Sequence, residues 1–553
     1  MKDFGMVTQV KEDTLIFIVR PEKEIINIII QINAIINSFR KNISKNIVFI
    51  PGENHDIIEY LIQTQLFNEF RVESLNFDII PIDLDLLSLE RDNCIKEIYI
   101  ENNNTSISDL ACALVKLETC FGKVKHKYIK GDLAQTFCEL VEEKEIENNF
   151  KPKGEILGMI VLDRSVDFVT LMTTNYTCEG LVDERYGINL GKIKVEERIL
   201  KENLTKNPIE SKKLISYGLT SKINPIYCSL RCMYYTDAFK YIDTIKEYYQ
   251  KIAKSSKDKS LPMEKIKEYT EEINFFVSKV KTDLIMNENI INDIILPLKD
   301  PNYSKYIQKE QLMLSGDLPP NLYSYYEEHL CEQRDLMSLM KLLILENLTQ
   351  NGIKDYQKLK REILNIYGYQ KIFLFRDLEN LGWLKEREFI KDLRKIIDNT
   401  YNQISQKLEL MKMSDDPKKI DDCSYVLGGF CPLGLRLIET AIEGKWGKII
   451  DTIKKIPGAT DYPEDESVFS NPKDEKNIIF IVFVGGVTYT EIEGIRFLNR
   501  KYNEEYKNKK IKKKKQFIIL TTGVLNCKKI LGKLGKDIHS SLTMKSFYDD
   551  NQK

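Results

Sequence analysis

The sequence lacks any apolar run long enough to cross a bilayer. Spanning takes roughly 18–20 consecutive apolar residues. The closest approach, Ile25–Ile36, is interrupted by Asn27, Gln31 and Asn33 and flanked by Glu24 and Arg40, so it reads as a buried helix. The N-terminus shows no basic, apolar and small-residue succession of a secretory signal. Cysteine is present but unorganised. The 11 residues follow no even framework, which reads as free thiols in a reducing compartment. Cys228 and Cys232 are four apart, yet no second pair or nearby histidine completes a zinc set. Histidine is scarce, and His55, His126, His329 and His539 stand isolated. Metal chemistry and Cys/His nucleophilic chemistry are therefore not expected, and no cofactor is. An excess of one charge is missing too. The 82 Lys+Arg against 83 Asp+Glu leave a net charge of −1, no basis for a nucleic-acid partner. No internal repeat is present.

What is present is the composition of an ordinary globular protein, 42% hydrophobic and 30% charged, in 553 residues. That length exceeds one core and predicts two or three domains. From Thr14 to Glu143 strand and helix patterns alternate. Strands are expected at Thr14–Val19, Asn46–Ile50, Phe77–Ile82, Glu97–Glu101 and Lys125–Ile129. Helices are expected at Glu22–Phe39, His55–Phe70, Ser106–Phe121 and Asp132–Glu143. Such alternation implies right-handed βαβ units and a largely parallel sheet.

The stretch Glu155–Leu190 organises the chain. Ile156–Leu162 is short, β-branched and apolar, the pattern of a buried strand. Charge arrives at its end with Asp163, Arg164 and Asp167. The carboxyl ends of strands in open α/β sheets are where ligands bind, so a catalytic aspartate is one reading and local pairing or capping the plainer one. Asp83-Leu84-Asp85 follows an apolar strand as in phosphatases of the haloacid-dehalogenase type, which also need Mg²⁺, a lysine and further carboxylates. Gly485-Gly486 follows the strand Asn477–Val484 and could cradle phosphate, but it has neither the lysine of a Walker loop nor dinucleotide spacing. From Tyr234 to Thr349 the pattern is helical. Ile266, Tyr269, Ile273, Phe276 and Val280 form a 3-4-3-4 stripe, widened by Phe275 and Val277, which fits either core or a groove for a partner helix. The lysine run Lys507, Lys509, Lys510 and Lys512–Lys515 reads as a solvated loop or as contact with anionic lipid.

Longer phrases carry a resemblance. LDRSVDFVT at Leu162–Thr170 and YTCEGLVDERYGI at Tyr176–Ile188 resemble the signature of the Sec/Munc (SM) family of SNARE-assembly proteins. The second half, with Glu179, Gly180, Asp183 and Glu184, resembles its class C vacuolar protein sorting branch, the SM subunit of the HOPS and CORVET tethers. IFIVRP (Ile16–Pro21) and PIDLDLLSLE (Pro81–Glu90) are similar to SM domain 1. Asn224-Pro225 resembles the step into the middle domain. The leucine helix from Leu336, Gly352 as its left-handed cap, and the phrases around Tyr367-Gly368-Tyr369 and Leu381-Gly382 resemble the class C branch. So does Tyr425–Glu439 against YxxSGYAPLSxRLVE, and Gly485-Gly486-Val487-Thr488-Tyr489-Thr490-Glu491 matches the family's strand-to-helix turn.

The resemblance implies a fold of α/β plus α, a three-domain arch with two parallel-sheet domains and a large helical domain carrying a hairpin. The implied division is 1–124 for domain 1, 125–243 and 451–553 for two segments of domain 2, and 244–450 for domain 3. Domain 1 is expected to lack its usual opening strand and helix, since IFIVRP begins at Ile16. The implied function is templating of SNARE assembly within a tether, without catalysis. SNARE proteins and a helical-solenoid subunit are the implied partners, with no nucleic acid and no small-molecule substrate. The implied location is cytoplasmic, peripheral on endosomal, lysosomal or vacuolar membranes. SNARE-binding candidates on the Met263–Asn287 arm are Lys265, Tyr269, Phe275, Phe276, Lys279 and Leu284. The alternatives are an α/β phosphatase or nucleotide-binding enzyme using Asp83/Asp85 or Gly485/Gly486, and a tether subunit that binds no SNARE.

Overall fold

The structure is a computed structural model that describes residues 14–535 except 22, 40–42, 51, 53–54, 76, 78, 149–151, 153, 201–213, 221–223, 258–261, 388–399, 413–421, 470–477 and 508–513. The expected shortened start of domain 1 and most of the lysine run lie outside the described residues. Lys515, at the end of that run, is buried with its ammonium 4.9 Å from the Tyr502 ring. Two compact units divide the chain, Met1–Ile80 with Lys536–Lys553, and Pro81–Gly535.

In the smaller unit β1 (Thr14–Val19), β2 (Ser44–Phe49) and β3 (Arg71–Ser74) form a parallel sheet in that order. The isoleucine-rich run becomes the helix Lys23–Phe39. Its Ile26 and Ile29 join Ile47, Phe49, Ile57, Leu61, Leu66 and Phe70 in one core. Two of the polar residues that interrupt the run, Asn33 and Asn27, have partners. Asn33 accepts from the buried Lys45 ammonium (2.6 Å) and donates to Glu69 (2.8 Å), and Asn27 accepts from Tyr60 (2.7 Å). Glu69 is held below the usual carboxylate range by those asparagine hydrogen bonds. A buried cation is tolerable on these terms.

The larger unit is built on a seven-stranded sheet. Its strands are β4 (Ile80–Asp83), β5 (Leu86–Ser88), β6 (Lys123–Lys130), β7 (Glu155–Asp163), β10 (Thr460–Asp461), β11 (Ile478–Val484) and β12 (Gln516–Thr521), in the order β10-β6-β7-β11-β12-β5-β4. A separate antiparallel pair, β8 (Lys192–Glu196) and β9 (Leu214–Gly218), lies outside it. β7 and β11 pair in parallel from Gly158↔Ile479 to Asp163↔Val484. Both are buried along nearly their whole length, as continuous apolar runs must be in a parallel sheet covered on both faces. Gly158 is needed inside β7 because the Phe469 ring closes over it, where a Cβ would meet Cε1 at 2.5 Å. Phe469 and the fully buried Trp446 both pack on Tyr128 of β6, Trp446 stacked at 4.8 Å.

Several expectations are corrected. Glu97–Glu101 is not a strand; Cys94–Tyr99 is a helix that buries Cys94, Ile95 and Ile98. That i, i+1, i+4 spacing fits one helix face and leaves no alternation for a sheet. The strands β3 and β5 were not foreseen. Residues 81–124 supply strands and the helix Thr105–Phe121 to the larger unit. Gly352 is not the left-handed cap of Leu336–Gln350. Asn351 takes that conformation (φ 57), and Gly352 follows at φ 121.

The helical region runs through Tyr235–Ser255, Met263–Phe275, Lys281–Ile294, Pro301–Leu314, Leu322–Cys331, Leu336–Gln350, Tyr356–Tyr367, Ile372–Asn380, Thr400–Lys407 and Leu433–Ile442. Among the described residues no helix is long and apolar enough to cross a membrane. Leu336–Gln350 is buried on several sides, with Leu339, Leu342, Leu343, Ile344 and Leu345 all inside.

The helix Leu433–Ile442 is tied to the preceding loop by Arg436, whose Nη2 donates to both Asp422 oxygens (3.0 and 3.1 Å). Burial opposes the Asp422 charge, but the Ser424 amide and Arg436 outweigh it and hold the carboxyl down at about 2, from 3.8. A depressed carboxyl contributes stability above its unfolded pKa and loses it as pH falls through the folded one. Asp422→Asn is therefore expected to cost about 2 kcal/mol at neutral pH. In urea titrations the gap between variant and parent should close between about pH 4 and pH 2.

Candidate functional site

The signature residues gather where β7 and β11 end. Two helices start there without a capping side chain of their own, Asp132–Glu147 after Gly131 and Leu433–Ile442 after Pro432. Asp163 supplies the first cap, accepting from the Leu133 amide (3.1 Å), and also accepts from Tyr99 (2.6 Å) and the Ser165 amide (2.9 Å). Asp167 supplies the second, accepting from the Leu433 amide (3.0 Å), the Thr170 amide (3.0 Å) and the Thr170 hydroxyl (2.6 Å). A carboxylate at a helix N-terminus satisfies orphan amides and meets the positive end of the dipole. Arg164, 2% exposed, donates to Glu491 (2.7 Å) and to the Asp167 carbonyl.

Gly485 and Gly486 complete this joint with φ of 94 and 101. A Cβ at Gly485 would meet Arg164 Cβ at 2.8 Å, and one at Gly486 would meet Leu525 at 2.3 Å. The Gly485 amide is already bonded to the Thr522 hydroxyl (3.2 Å). The turn is filled by the chain's own side chains and presents no phosphate cradle. Just beyond it, Thr488 and Glu491 form a reciprocal capping box, the Glu491 carboxylate accepting from the Thr488 amide (2.9 Å) and the Thr488 hydroxyl accepting from the Glu491 amide (3.3 Å).

A second joint centres on Arg496. It donates to Glu179 (2.6 Å), Glu493 (2.9 Å) and both oxygens of Asp85 (2.8 and 3.0 Å), while Asp83 pairs with Arg231. Burial pushes the Glu179 carboxyl well up. Glu493 is held down against its own burial by a hydrogen bond from Glu179 and by the Arg496 and Arg231 charges. These are the directions of two carboxyls sharing one proton. The phosphatase reading fails on this geometry, since both aspartates are committed to arginines. Among the described residues no cluster of three His, Cys, Asp or Glu is placed to hold a metal ion.

The second half of the signature does the same kind of work. Asp183 accepts from the Ile188 amide (2.8 Å) and Asn526 (2.7 Å), and Glu184 pairs with Lys341 (2.9 Å). Gly180 leaves room for Asn175, whose Nδ2 a Cβ would meet at 1.7 Å. Glu491 was read only as the end of the Gly485–Glu491 phrase, and the partners Glu493, Arg496 and Lys341 were not picked out from the sequence. The T-x-x-E spacing of Thr488 and Glu491 was the one available signal.

The arm behaves differently. Tyr235–Ser255 and Met263–Phe275 form a helical pair, and the chain continues through a π-helical turn, Phe276–Val280, into Lys281–Ile294. Phe276 stacks on Tyr249 at 3.9 Å. Ile266, Tyr269, Ile273, Phe276 and Val280 are half-buried, so the predicted stripe is the seam of the pair. No residue of Met263–Val280 is fully buried. Phe275 is 58% and Val277 56% exposed. Lys265, near the start of the same helix, and Lys279, in the π-helical turn, are exposed as well. Leu284 is buried at 1% and belongs to the root of the arm, so it leaves the candidate surface. At the same root Asn287 donates to Asn224 (3.2 Å), and Asn224 caps the helix Pro225–Leu230 through the Tyr227 amide (3.0 Å).

A profile of the Sec1 family matches residues 7–533. The vacuolar protein-sorting-associated protein 33 homolog of Arabidopsis thaliana is 24% identical over 522 residues, covering 89% of this chain and 81% of its own. The vacuolar protein sorting-associated protein 33B of Homo sapiens is 25% identical over 520 residues, covering 88% and 81%. Among solved structures, the Unc18–syntaxin 1 complex from Monosiga brevicollis aligns with a TM-score of 0.56 at 13% identity, over 96% of this chain and 89% of that one. The SM protein Vps45 in complex with the Qa SNARE Tlg2 aligns with a TM-score of 0.56 at 13% identity, over 93% and 85%. At these identities the structural likeness establishes the fold, parallel-sheet α/β with a large helical part, as expected from the sequence.

Arg496→Met removes the cation shared by Glu179, Glu493 and Asp85. Breaking a buried pair on one side costs about 3–5 kcal/mol. Denaturant unfolding of this variant should show a loss of that size. An equal loss is not expected from an exposed arginine such as Arg198, paired with Glu196 at the surface.

Proposed function

The chain belongs to the Sec1 family, and on that premise we propose that it is a SNARE-binding protein of the SM type. It holds SNARE helices side by side and so prepares them for assembly in vesicle docking and fusion. The observation that carries this reading is the exposed apolar surface of the arm. The seam between its two helices is already closed by the Tyr249–Phe276 stack, yet Phe275 and Val277 remain outside it. Large apolar residues displayed beside a π-helical turn are the features of a partner site rather than of a core. An amphipathic helix could lay its apolar face on Phe275 and Val277, with Lys265 and Lys279 meeting carboxylates at the rim. Tyr269 and Phe276 stand behind them as support.

The work asked of such a surface is entropic. Ordering two helices in register before their partners arrive meets part of the cost of four-helix assembly in advance. No bond is made or broken. The structural neighbours are complexes with syntaxin 1 and with the Qa SNARE Tlg2, which supports the choice of ligand.

The names of the sequence relatives carry the reading one step finer, to vacuolar protein sorting. On that ground the protein is a subunit of a HOPS/CORVET-like tether, held peripherally at endosomal, lysosomal or vacuolar membranes through a helical-solenoid partner. Size-exclusion chromatography of native lysate should place it far above the mass of one chain. Elution as a lone monomer would remove the tether assignment.

Phe275→Asp separates groove from scaffold. Hot-spot truncations cost about 2 kcal/mol or more, roughly 30-fold in affinity. At 58% exposure the same change should leave the melting temperature unaltered. SNARE-helix binding and thermal melting measured on one preparation decide the matter. Unchanged binding would leave a tether subunit that binds no SNARE on this arm. Lowered melting would return Phe275 to the scaffold.

A further inference from the structure

Apart from the buried ion pairs, two thiols lie in contact. Cys423 and Cys431 are both fully buried, and their Sγ atoms are 3.1 Å apart. A disulfide bond is ~2.0 Å long, so about 1 Å of approach separates this contact from a bond. The two residues close a tight loop. Cys423–Val426 is one helical turn, Gly428 and Gly429 reverse the chain at φ 76 and 98, and Phe430 bridges back to Met411. The Cys431 amide bonds to the Leu410 carbonyl (2.7 Å), which fixes the returning limb. Cys431 stands where the family phrase YxxSGYAPLSxRLVE has alanine, so this thiol is not part of that resemblance.

We propose that Cys423 and Cys431 form a reversible intrachain disulfide, which makes this loop an oxidisable modification site. The oxidant is a peroxide. One thiolate attacks a peroxide oxygen and becomes a sulfenic acid as hydroxide leaves. The second thiolate attacks that sulfur and expels a second hydroxide. Both hydroxides take up the protons released by the thiols. In sum, two thiols and one hydrogen peroxide give one disulfide and two waters. A thiol reductant restores the pair.

Reactivity is limited by charge. Burial pushes the Cys431 thiol well above its usual pKa, and its hydrogen bond with Cys423 adds to this, while the Arg436 guanidinium opposes it. The thiolate is the reacting form, so linkage accelerates as pH rises. Contact between the two sulfurs works the other way, because the second step is intramolecular.

The position gives the bond a consequence. A Cβ on Gly428 would meet the Tyr176 ring at 2.4 Å, so the loop lies directly against the signature segment. The Tyr176 carbonyl accepts from the amide of Tyr235, the first residue of the helix Tyr235–Ser255. The linkage therefore braces the loop on which the root of the arm rests. This inference does not depend on what the arm binds.

The test uses the full chain, reduced and then exposed to graded hydrogen peroxide at about pH 7 and about pH 8.5. The protein is unfolded in the presence of N-ethylmaleimide so that every free thiol is blocked, then cut with trypsin, and the peptides are weighed. Cleavage after Lys419 and Arg436 leaves both cysteines, and no other, in one peptide. The expected product is that peptide unalkylated and two hydrogens lighter than the dithiol. It should form faster at the higher pH and become doubly alkylated after reduction. Cys431→Ala should leave Cys423 open to alkylation and abolish the lighter peptide, while the mapping of the parent stands whether or not this variant folds. Recovery of a doubly alkylated peptide at doses that oxidise the exposed Cys120 and Cys331 would overturn the proposal. Linkage of either thiol to another cysteine, or sulfinic acid at one of them, would do the same.

Discussion

The parallel pairing of β7 with β11 is the constraint on which the larger unit depends. The two strands come from distant parts of the chain, and each is buried on both faces. Parallel strands cannot be joined by a tight turn. Here the connection includes the whole helical region, so two segments far apart in the chain meet at the centre of the sheet. The strand ends are then locked by charge. Arg164, leaving β7, meets Glu491, which opens the helix after β11. Asp163 and Asp167 reach out from the same turn to cap two further helices.

Such density of buried charge is tolerated because the groups are shared. Arg496 serves Glu179, Glu493 and Asp85 together, and Arg231 takes Asp83. A buried pair contributes little net stability against an apolar replacement. What it imposes is register, since each carboxylate must find its arginine or be left unpaired. That accounts for residues that resemble a catalytic constellation in the sequence and pair with one another in the structure. The acids at the strand ends are joints between segments, and their chemistry is spent on one another.

The arm follows the opposite rule. Its seam is made of half-buried residues, it has no fully buried side chain between Met263 and Val280, and its largest aromatic displays lie outside the packing. Low burial of this kind marks segments at the less stable end of a structure, from which binding elements are drawn. Rigid joints at the sheet and a lightly packed arm are complementary. The first hold position, and the second leaves apolar surface exposed.

Period and punctuation in the sequence by themselves determined much of this. β1 begins and ends where the apolar run Thr14–Val19 does, the helix after Asn224-Pro225 starts with the cap those two residues imply, and the long helical region is where the pattern puts it. These are local facts, settled by side-chain alternation and by which residues satisfy a helix end. The short elements were not legible, because three or four residues such as Leu86–Ser88 or Arg71–Ser74 hold no period, and Cys94–Tyr99 carries one that fits a helix only once its buried face is known. The roles of the acids were decided by the tertiary structure alone. Asp85 as half of a phosphatase pair with Asp83 and Asp85 as partner of Arg496 are the same residue in the same phrase, and the difference lies in a side chain brought to it from the far end of the chain. Composition and spacing carry no record of that approach, since a charge acts through space and not along the backbone.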